Sequence, residues 1–127
     1  MINNFLIINC IGKDDKLGLK INKDFFIHNF DNENKLNMYL VSEILNFLNK
    51  HKVKLDESFS VIVNQGPGSF SGVRTALAVA KGLKISNKVK LFGFNNNNLK
   101  RFNLENIEKL LNEKLIEKKL IKPIYLS

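Results

Sequence analysis

A glycine-rich turn ahead of a helix is the part of the sequence whose residue types best fit chemistry. Residues 65–72 read QGPGSFSG, and the following stretch, VRTALAVAKGLKIS, has a helical pattern. Free N–H groups at a helix N-terminus attract anions, and Arg74 would add a positive charge. The same residues fit a structural turn, because glycines allow unusual backbone angles and Ser69 or Ser71 can cap the helix. On spacing we favour the structural role, with phosphate binding as the alternative.

Three motifs for phosphate binding or nucleophilic catalysis fail at this turn. The third glycine of the dinucleotide fingerprint would fall at Ser71. A P-loop needs a lysine directly after Gly72, where Val73 stands instead. The serine of a nucleophile elbow would fall at Phe70. None of the three established motifs therefore supports chemistry at the turn.

Other reactive residue types are sparse and isolated. His28 and His51 have no partner at catalytic or metal-ligand spacing, and acids at such spacing are missing as well. Cys10 is the only cysteine, which excludes an internal disulfide, suits a reducing compartment, and is predicted to be a small buried side chain. We therefore predict no catalytic residue, no cofactor-binding residue and no metal ligand.

Length and composition indicate one soluble globular domain. The chain has 127 residues, of which 44% are hydrophobic and 25% charged. Its apolar runs are far shorter than the roughly 20 residues of a membrane span, and no signal-peptide pattern opens the chain. We therefore expect a cytoplasmic protein without a membrane partner.

The net charge of +8 raises the question of nucleic-acid binding. Lysine, asparagine and isoleucine are all heavily used, a joint bias that is typical of AT-rich coding, and the basic residues are scattered among acidic ones. We therefore do not take the charge by itself as the mark of a nucleic-acid surface.

The hydrophobic periodicity predicts alternating strands and helices. Three short extended segments between residues 4 and 30 predict an antiparallel meander. Two later strands, at 59–64 and 89–94, flank a helix, which predicts a right-handed crossover and parallel pairing. The predicted helices cover residues 36–51, 72–85 and 104–119.

The first two helices carry apolar or small side chains over a wider arc than one sheet face can cover. Contiguous exposed apolar surface marks partner sites, and small residues let another helix approach closely. We therefore predict a partner interface on these helices, with a fully buried second helix as the alternative. The residues predicted to form the interface are Leu40, Ile44, Val73, Ala76, Leu77, Val79, Ala80 and Leu83.

The segment NQGPGSFSGVRTALAVAKGL resembles the signature of the TsaB family, also called YeaZ, in which a strand leads into a GPGSFTGxR turn and a small-residue helix. The residues of this signature turn are Gly66, Pro67, Gly68, Ser69, Phe70, Gly72 and Arg74. The resemblance covers residues 4–94, and the closing KPIYLS is similar to the family's C-terminal Pro-x-Tyr-Leu. It implies an α/β fold: one actin-like ATPase (ASKHA, ribonuclease H-like) lobe with a mixed five-stranded sheet in the order βββαβαβ, plus a C-terminal helix.

The resemblance also implies a function. TsaB-like proteins support formation of the threonylcarbamoyl group on the adenosine next to the anticodon of tRNA. They pair with the catalytic paralogue TsaD, and TsaE, an ATPase, joins the assembly. The two N-lobe helices form the paired interface in that family. The implied protein is a non-catalytic scaffold that binds a TsaD-like paralogue, or itself when that partner is absent, and reaches tRNA indirectly.

Three departures from the family pattern affect what can be carried over. The first strand ends in Asn9 and Cys10, where the wider superfamily has Asp-Thr or Asp-Ser for metal and phosphate. The sequence KLNMY stands where family members commonly have a histidine near the first helix. Residues 1–94 correspond to the N-terminal lobe, and residues 95–127 are expected to form a short basic helix and tail in place of a second lobe. Because the superfamily's nucleotide cleft lies between two lobes, we expect a pseudoenzyme.

Two other functions stay open. A nucleotide-binding enzyme would use the loop from Gly66 to Gly72 together with Arg74. A tRNA-binding accessory protein would use the basic C-terminal helix and would bind with strong salt dependence. A protease is not supported, because no nucleophile–base pair and no metal motif is present in the sequence.

Overall fold

The computed structural model describes residues 2–30, 36–119 and 121–124. In chain order its elements are β1 (Phe5–Asn9), β2 (Lys16–Ile21), β3 (Asp24–Asn29), α1 (Leu36–Lys50), β4 (Ser60–Asn64), α2 (Phe70–Asn87), β5 (Lys90–Phe94), a 3-10 helix (Asn96–Asn98) and α3 (Leu104–Asn112). The predicted order of elements is confirmed. Residues 125–127 of the family-like tail and Lys35 of KLNMY lie outside the described residues. Of the helices described, none has the length and apolar content needed to cross a bilayer.

The first three strands form the predicted antiparallel meander. β1 pairs with β2, and β2 pairs with β3 up to the Ile21–Asp24 pair, which leaves a two-residue turn. Asn22 opens this turn with a φ of 56°. Asparagine tolerates the left-handed region better than most residues, and two-residue hairpins favour such angles.

The remaining strands extend the sheet in parallel. The strand order is β3-β2-β1-β4-β5, with β4 parallel to both β1 and β5. All five residues of β1 and all five of β4 are buried. Strands buried on both faces are typical of parallel pairs covered by crossover helices. The predicted mixed five-stranded α/β sheet is therefore confirmed.

Alternate residues of each central strand face two separate apolar layers. In β1, Leu6 and Ile8 face the layer formed with α1 and α2, whereas Phe5 and Ile7 face the layer formed with α3. This division follows from the two-residue period of a strand. Residues after Phe94 thus contribute to the same fold as the residues before it, because Ile107 and Leu110 of α3 are buried against the sheet.

The third helix is shorter than predicted. It ends at Asn112 rather than at residue 119, because Lys114 takes a left-handed φ of 57° and the N–H of Leu115 donates to the carbonyl of Leu110. Such a reversal closes a helix C-terminus. The chain then pairs Glu117 antiparallel with Gly93, with N–H···O distances of 2.9 and 2.7 Å. The tail therefore covers part of the β5 edge, an arrangement that helical periodicity does not predict.

The other two helices differ little from the prediction. α1 ends one residue earlier than expected, at Lys50. α2 begins two residues earlier, at Phe70, because Ser69 is its N-cap. The side chains of residues 36–38, at the start of α1, lie outside the described residues.

Candidate functional site

The signature turn lies at the carboxyl ends of the parallel strands, where open α/β sheets commonly bind ligands. It connects β4 to α2, and Ser69 caps the helix by accepting a hydrogen bond from the Gly72 N–H at 3.3 Å. Gly66 has a φ of 95°, a conformation that side-chain-bearing residues rarely adopt. The turn therefore starts and orients α2, as the structural interpretation of the sequence predicted.

The signature turn packs directly on the turn between β1 and β2. The N–H of Ser69 donates to the carbonyl of Ile11 at 2.7 Å. A Cβ atom on Gly68 would lie 2.7 Å from the Cβ of Ile11, and one on Gly12 would lie within overlap distance of Ser69. Glycine is required at these two positions because the backbones approach too closely for a side chain. No space for a phosphate group remains between the two turns at this contact.

Asp15 accepts two hydrogen bonds from the backbone of the β1–β2 turn. Its Oδ1 accepts hydrogen bonds from the N–H groups of Ile11 and Gly12, both at 2.9 Å. The side chain is buried. A carboxylate in this position uses two backbone donors and repels an incoming anion. These two donors of the β1–β2 turn are therefore satisfied internally. Anion binding at the N-terminus of α2 with Arg74, the alternative drawn from the sequence, stays a prediction.

Cys10 lies behind this turn as a buried, neutral thiol. Burial, with a smaller contribution from the nearby Asp15 charge, raises the pKa of Cys10 far above its ordinary value. The prediction of a small buried side chain is confirmed. A thiol that stays protonated at neutral pH acts neither as a nucleophile nor as a metal ligand.

A network of side-chain amides joins the strand ends to the asparagine-rich loop. The Nδ2 group of Asn64 donates to Asn9 at 2.6 Å and to Asn96 at 2.9 Å, while its Oδ1 accepts from the Gly66 N–H at 2.8 Å. Asn64 is fully buried, and among the described residues no buried side-chain N or O atom lacks a partner. The network holds β1, β4 and the signature turn together without an acid–base pair.

Sequence reasoning missed Asp15, Asn64 and Asn96. Only the positions of these residues in the sequence could have indicated their role. Asn64 is the polar residue that ends a continuously apolar strand, and Asp15 directly precedes another strand. Asn96 lies in the run 95–98, whose composition conceals its contact with Asn64. Within the part of the chain that the structure describes, no three His, Cys, Asp or Glu residues are grouped closely enough to hold a metal ion.

Two residues of the signature turn project from its surface. Phe70 is 62% exposed, and the guanidinium carbon of Arg74 lies 4.9 Å from the centre of its ring. This distance is typical of a cation–π contact. The arginine that was considered as a phosphate ligand is therefore positioned over an aromatic side chain at the start of α2.

Most of the residues predicted for the partner interface lie in the chain's own core. Seven of the eight are buried, and only Val79 is half-buried. The prediction of an exposed interface at these positions is thus corrected. Hydrophobic periodicity identifies the apolar face of a helix. In a helix with apolar or small residues on nearly every side, however, the periodicity does not show which side packs against the sheet. The buried residues are Leu40, Ile44, Val73, Ala76, Leu77, Ala80 and Leu83.

Other apolar residues of the same helices face outward. We call them the α1–α2 outer face: Val41 and Leu45 of α1, which are 52% and 45% exposed, with Ala78, Gly82 and Ile85 of α2. Ile85 is 82% exposed. Within each helix these positions recur at three- or four-residue spacing and so share one side. The two helices pack side by side.

Gly82 lies between Ala78 and Ile85 on the exposed side of α2, and no contact within the described chain requires a glycine there. A Cβ atom built on Gly82 would meet nothing within 4 Å, and its φ is not positive. Glycine in a helix interior costs about 1 kcal/mol relative to alanine. Close approach of another helix is a packing reason for glycine at such a position.

Comparisons of the sequence with known proteins identify related proteins of one family. The family model described as TsaD, tRNA N6-adenosine threonylcarbamoyltransferase, matches residues 34–99. A curated relative, tRNA threonylcarbamoyladenosine biosynthesis protein TsaB of Buchnera aphidicola subsp. Baizongia pistaciae (strain Bp), is 46% identical over 52 residues, which is 41% of this chain and 24% of that protein.

Two solved structures from Pseudomonas aeruginosa share the fold. One is YeaZ, with a TM-score of 0.70 and 17% identity over 89% of this chain and 50% of that chain. The other is an uncharacterized protein with similarity to peptidase YEAZ, with a TM-score of 0.69 and 18% identity over 77% of this chain and 45% of that chain. The chain therefore matches at most half the length of these relatives.

The family model covers just over half of the 127 residues, and its match includes α1, β4, the signature turn, α2 and β5. This match shows that the chain belongs to the family described as TsaD, tRNA N6-adenosine threonylcarbamoyltransferase, and the chain is similar in part of its sequence to a TsaB protein and in its fold to YeaZ.

Proposed function

We propose that this chain acts in threonylcarbamoyladenosine modification of tRNA as a non-catalytic TsaB-like scaffold that binds a TsaD-type paralogue. The binding surface is the α1–α2 outer face rather than the buried residues selected from sequence. A TsaE-like ATPase joins through the same assembly, and the substrate of the assembly is tRNA. Membership of the family supports a role in threonylcarbamoyladenosine modification. The exposed apolar residues of α1 and α2 support binding of the partner through these two helices.

The single observation that carries the proposal is Gly82 among exposed apolar side chains. Val41, Leu45 and Ile85 are about half exposed or more, which leaves large apolar groups in water. Gly82 leaves a gap on the exposed side of α2, where nothing lies within 4 Å of a would-be Cβ. A partner helix can enter this gap, bury the apolar groups and bring its backbone close to α2.

The non-catalytic part of the proposal rests on the signature turn. Asp15 and Ile11 already satisfy the polar groups of the facing backbones, and the Cys10 thiol is protonated. Acyl or phosphoryl transfer needs preorganised donors or cations where charge develops. The turn supplies helix orientation instead, with Ser69 as the cap of the docking helix.

The experiment measures binding of the purified chain to the TsaD-type paralogue of the same organism by isothermal titration calorimetry. Gly82→Arg fills the gap with a long charged side chain whose Cβ meets no atom of the chain within 4 Å, and a thermal melt checks that the variant is folded. We expect its affinity for the partner to fall at least about 30-fold, as for the loss of an interface hot spot worth about 2 kcal/mol.

Asn112→Arg is the matched control, because it adds the same charge at an exposed position of α3, on the other side of the sheet. Its affinity should match that of the natural chain. Gly82→Ala should raise the free energy of unfolding of the free chain by about 0.5–1 kcal/mol, since it improves helix propensity in open space. Undiminished binding by a folded Gly82→Arg variant would refute the proposed surface.

A further inference from the structure

A second surface lies at the opposite end of the sheet from the signature turn. There, near the amino ends of β4 and β5, a cleft of about 950 Å³ opens between the sheet, α3 and the following tail. Its walls include Ser60, Phe92, Leu111 and Ile116. The cleft shares no lining residue with the signature turn or the α1–α2 outer face.

Four lysines line this cleft, contributed by three separate parts of the fold. Lys20 lies in β2, and Lys90 is the first residue of β5. Lys114 and Lys118 lie in the tail after α3. The only acidic residue in the lining is Glu108. The formal charge of the cleft is therefore strongly positive, although along the sequence these lysines are scattered among acidic residues.

The lysine ammonium groups are available to a ligand. Lys20 Nζ donates to the carbonyls of Asn3 at 3.2 Å and Asn22 at 2.9 Å, which fixes its position and uses two of its three N–H donors. Lys90, Lys114 and Lys118 are exposed and form no ion pair with any residue that the structure describes. Like charges held in one concavity favour an anionic occupant.

We propose that this lysine cleft binds the phosphodiester backbone of single-stranded RNA. Lysines spread over β2, β5 and the tail match a row of phosphates better than a single anion. The half-buried Leu111 and Ile116 give the cleft an apolar wall against which sugars or bases can pack. The choice of RNA among polyanions rests on the proposed function, whereas the anion site itself rests only on the cleft.

The test is fluorescence anisotropy with a short labelled poly(U) RNA at several salt concentrations. The variant carries Lys90→Gln, Lys114→Gln and Lys118→Gln, and its control carries Lys13→Gln, Lys54→Gln and Lys81→Gln, three exposed lysines outside the cleft. Both lose the same charge, and thermal melts establish that both are folded. We expect the cleft variant to bind at least about 10-fold more weakly than the control. Its log–log salt slope should be smaller by about 2, at roughly 0.7 per phosphate contact.

Every other outcome overturns the inference. Equal weakening in both variants would mean diffuse attraction to the whole surface, and no RNA binding at low salt would mean that the cleft has no such ligand. Displacement of the RNA by ATP at equal phosphate concentration would reassign the cleft to free nucleotides. Binding of the cleft lysines to phosphatidylserine vesicles instead of RNA would reassign it to a membrane.

Failure of this inference is distinguishable from failure of the proposed function. The cleft variant keeps the α1–α2 outer face intact and should bind the TsaD-type paralogue with unchanged affinity. Loss of RNA binding with retained partner binding is the result expected for two independent surfaces.

Discussion

At the scale of single residues, Asp15 and Cys10 determine what the end of β1 can do. Asp15 holds the N–H groups of Ile11 and Gly12, and its charge adds to the effect of burial on Cys10. An aspartate is present, but it follows the strand by several residues and acts on its own backbone. The carboxylate of Asp15 is therefore occupied by the backbone of its own turn.

The raised pKa of Cys10 predicts a pH dependence of stability. At a pH above the ordinary thiol pKa, the unfolded chain loses the thiol proton and the folded chain keeps it. The contribution of Cys10 to the stability of the folded chain is therefore complete below the unfolded pKa and is lost as the pH rises. Above about pH 8.5, the free energy of unfolding should fall by up to about 1.4 kcal/mol per pH unit from this group.

Urea unfolding of the natural chain and of Cys10→Ala between about pH 7.5 and 9.5 tests this. The alanine variant removes the titrating group, so the difference between the two free energies should shrink as pH rises. Parallel pH curves would show that the thiol titrates alike in both states, contrary to its burial.

At the scale of elements, α3 and the tail behave as two pieces rather than one helix. Leu110 is fully buried, whereas Leu115, after the left-handed Lys114, is 40% exposed. Leu110→Ala should therefore lower the free energy of unfolding by about 2–5 kcal/mol. Leu115→Ala should lower it by less than about 1 kcal/mol, as an exposed position.

Denaturant unfolding of the two variants decides between the observed boundary and the predicted one. If α3 continued to residue 119 with both leucines on its apolar side, the two substitutions would cost similar amounts. Equal losses would thus contradict the helix end at Asn112.

The elements were largely predictable because each has a local cause. The meander follows from alternating residues and polar turns, and the parallel pair follows from two apolar strands flanking a helix. The end of α3 was missed because it depends on the pairing of Glu117 with Gly93, which is distant in sequence. The site was less predictable still. Asn64, Asn96 and Asp15 act through contacts that spacing does not reveal, and the exposed side of α2 depends on where the sheet lies.

At the scale of the whole molecule, three surfaces are separated by one sheet. The signature turn lies at the carboxyl ends of the parallel strands and orients α2. Helices α1 and α2 cover one side of the sheet and carry the α1–α2 outer face, whereas α3 and its tail cover the other side and form the lysine cleft at the far end. Because the surfaces are separate, we expect that the proposed partner binding and the proposed RNA binding can be changed independently and that the two sets of variants do not interfere.

The most direct test of the central claim, that this chain is a docking scaffold, is the mass of the species it forms with its partner. The chain would be co-expressed with the TsaD-type paralogue of the same organism and measured by size-exclusion chromatography with light scattering. We predict a stable one-to-one complex that Gly82→Arg dissociates and Asn112→Arg preserves. A chain that elutes as a monomer beside an unbound paralogue would contradict the account.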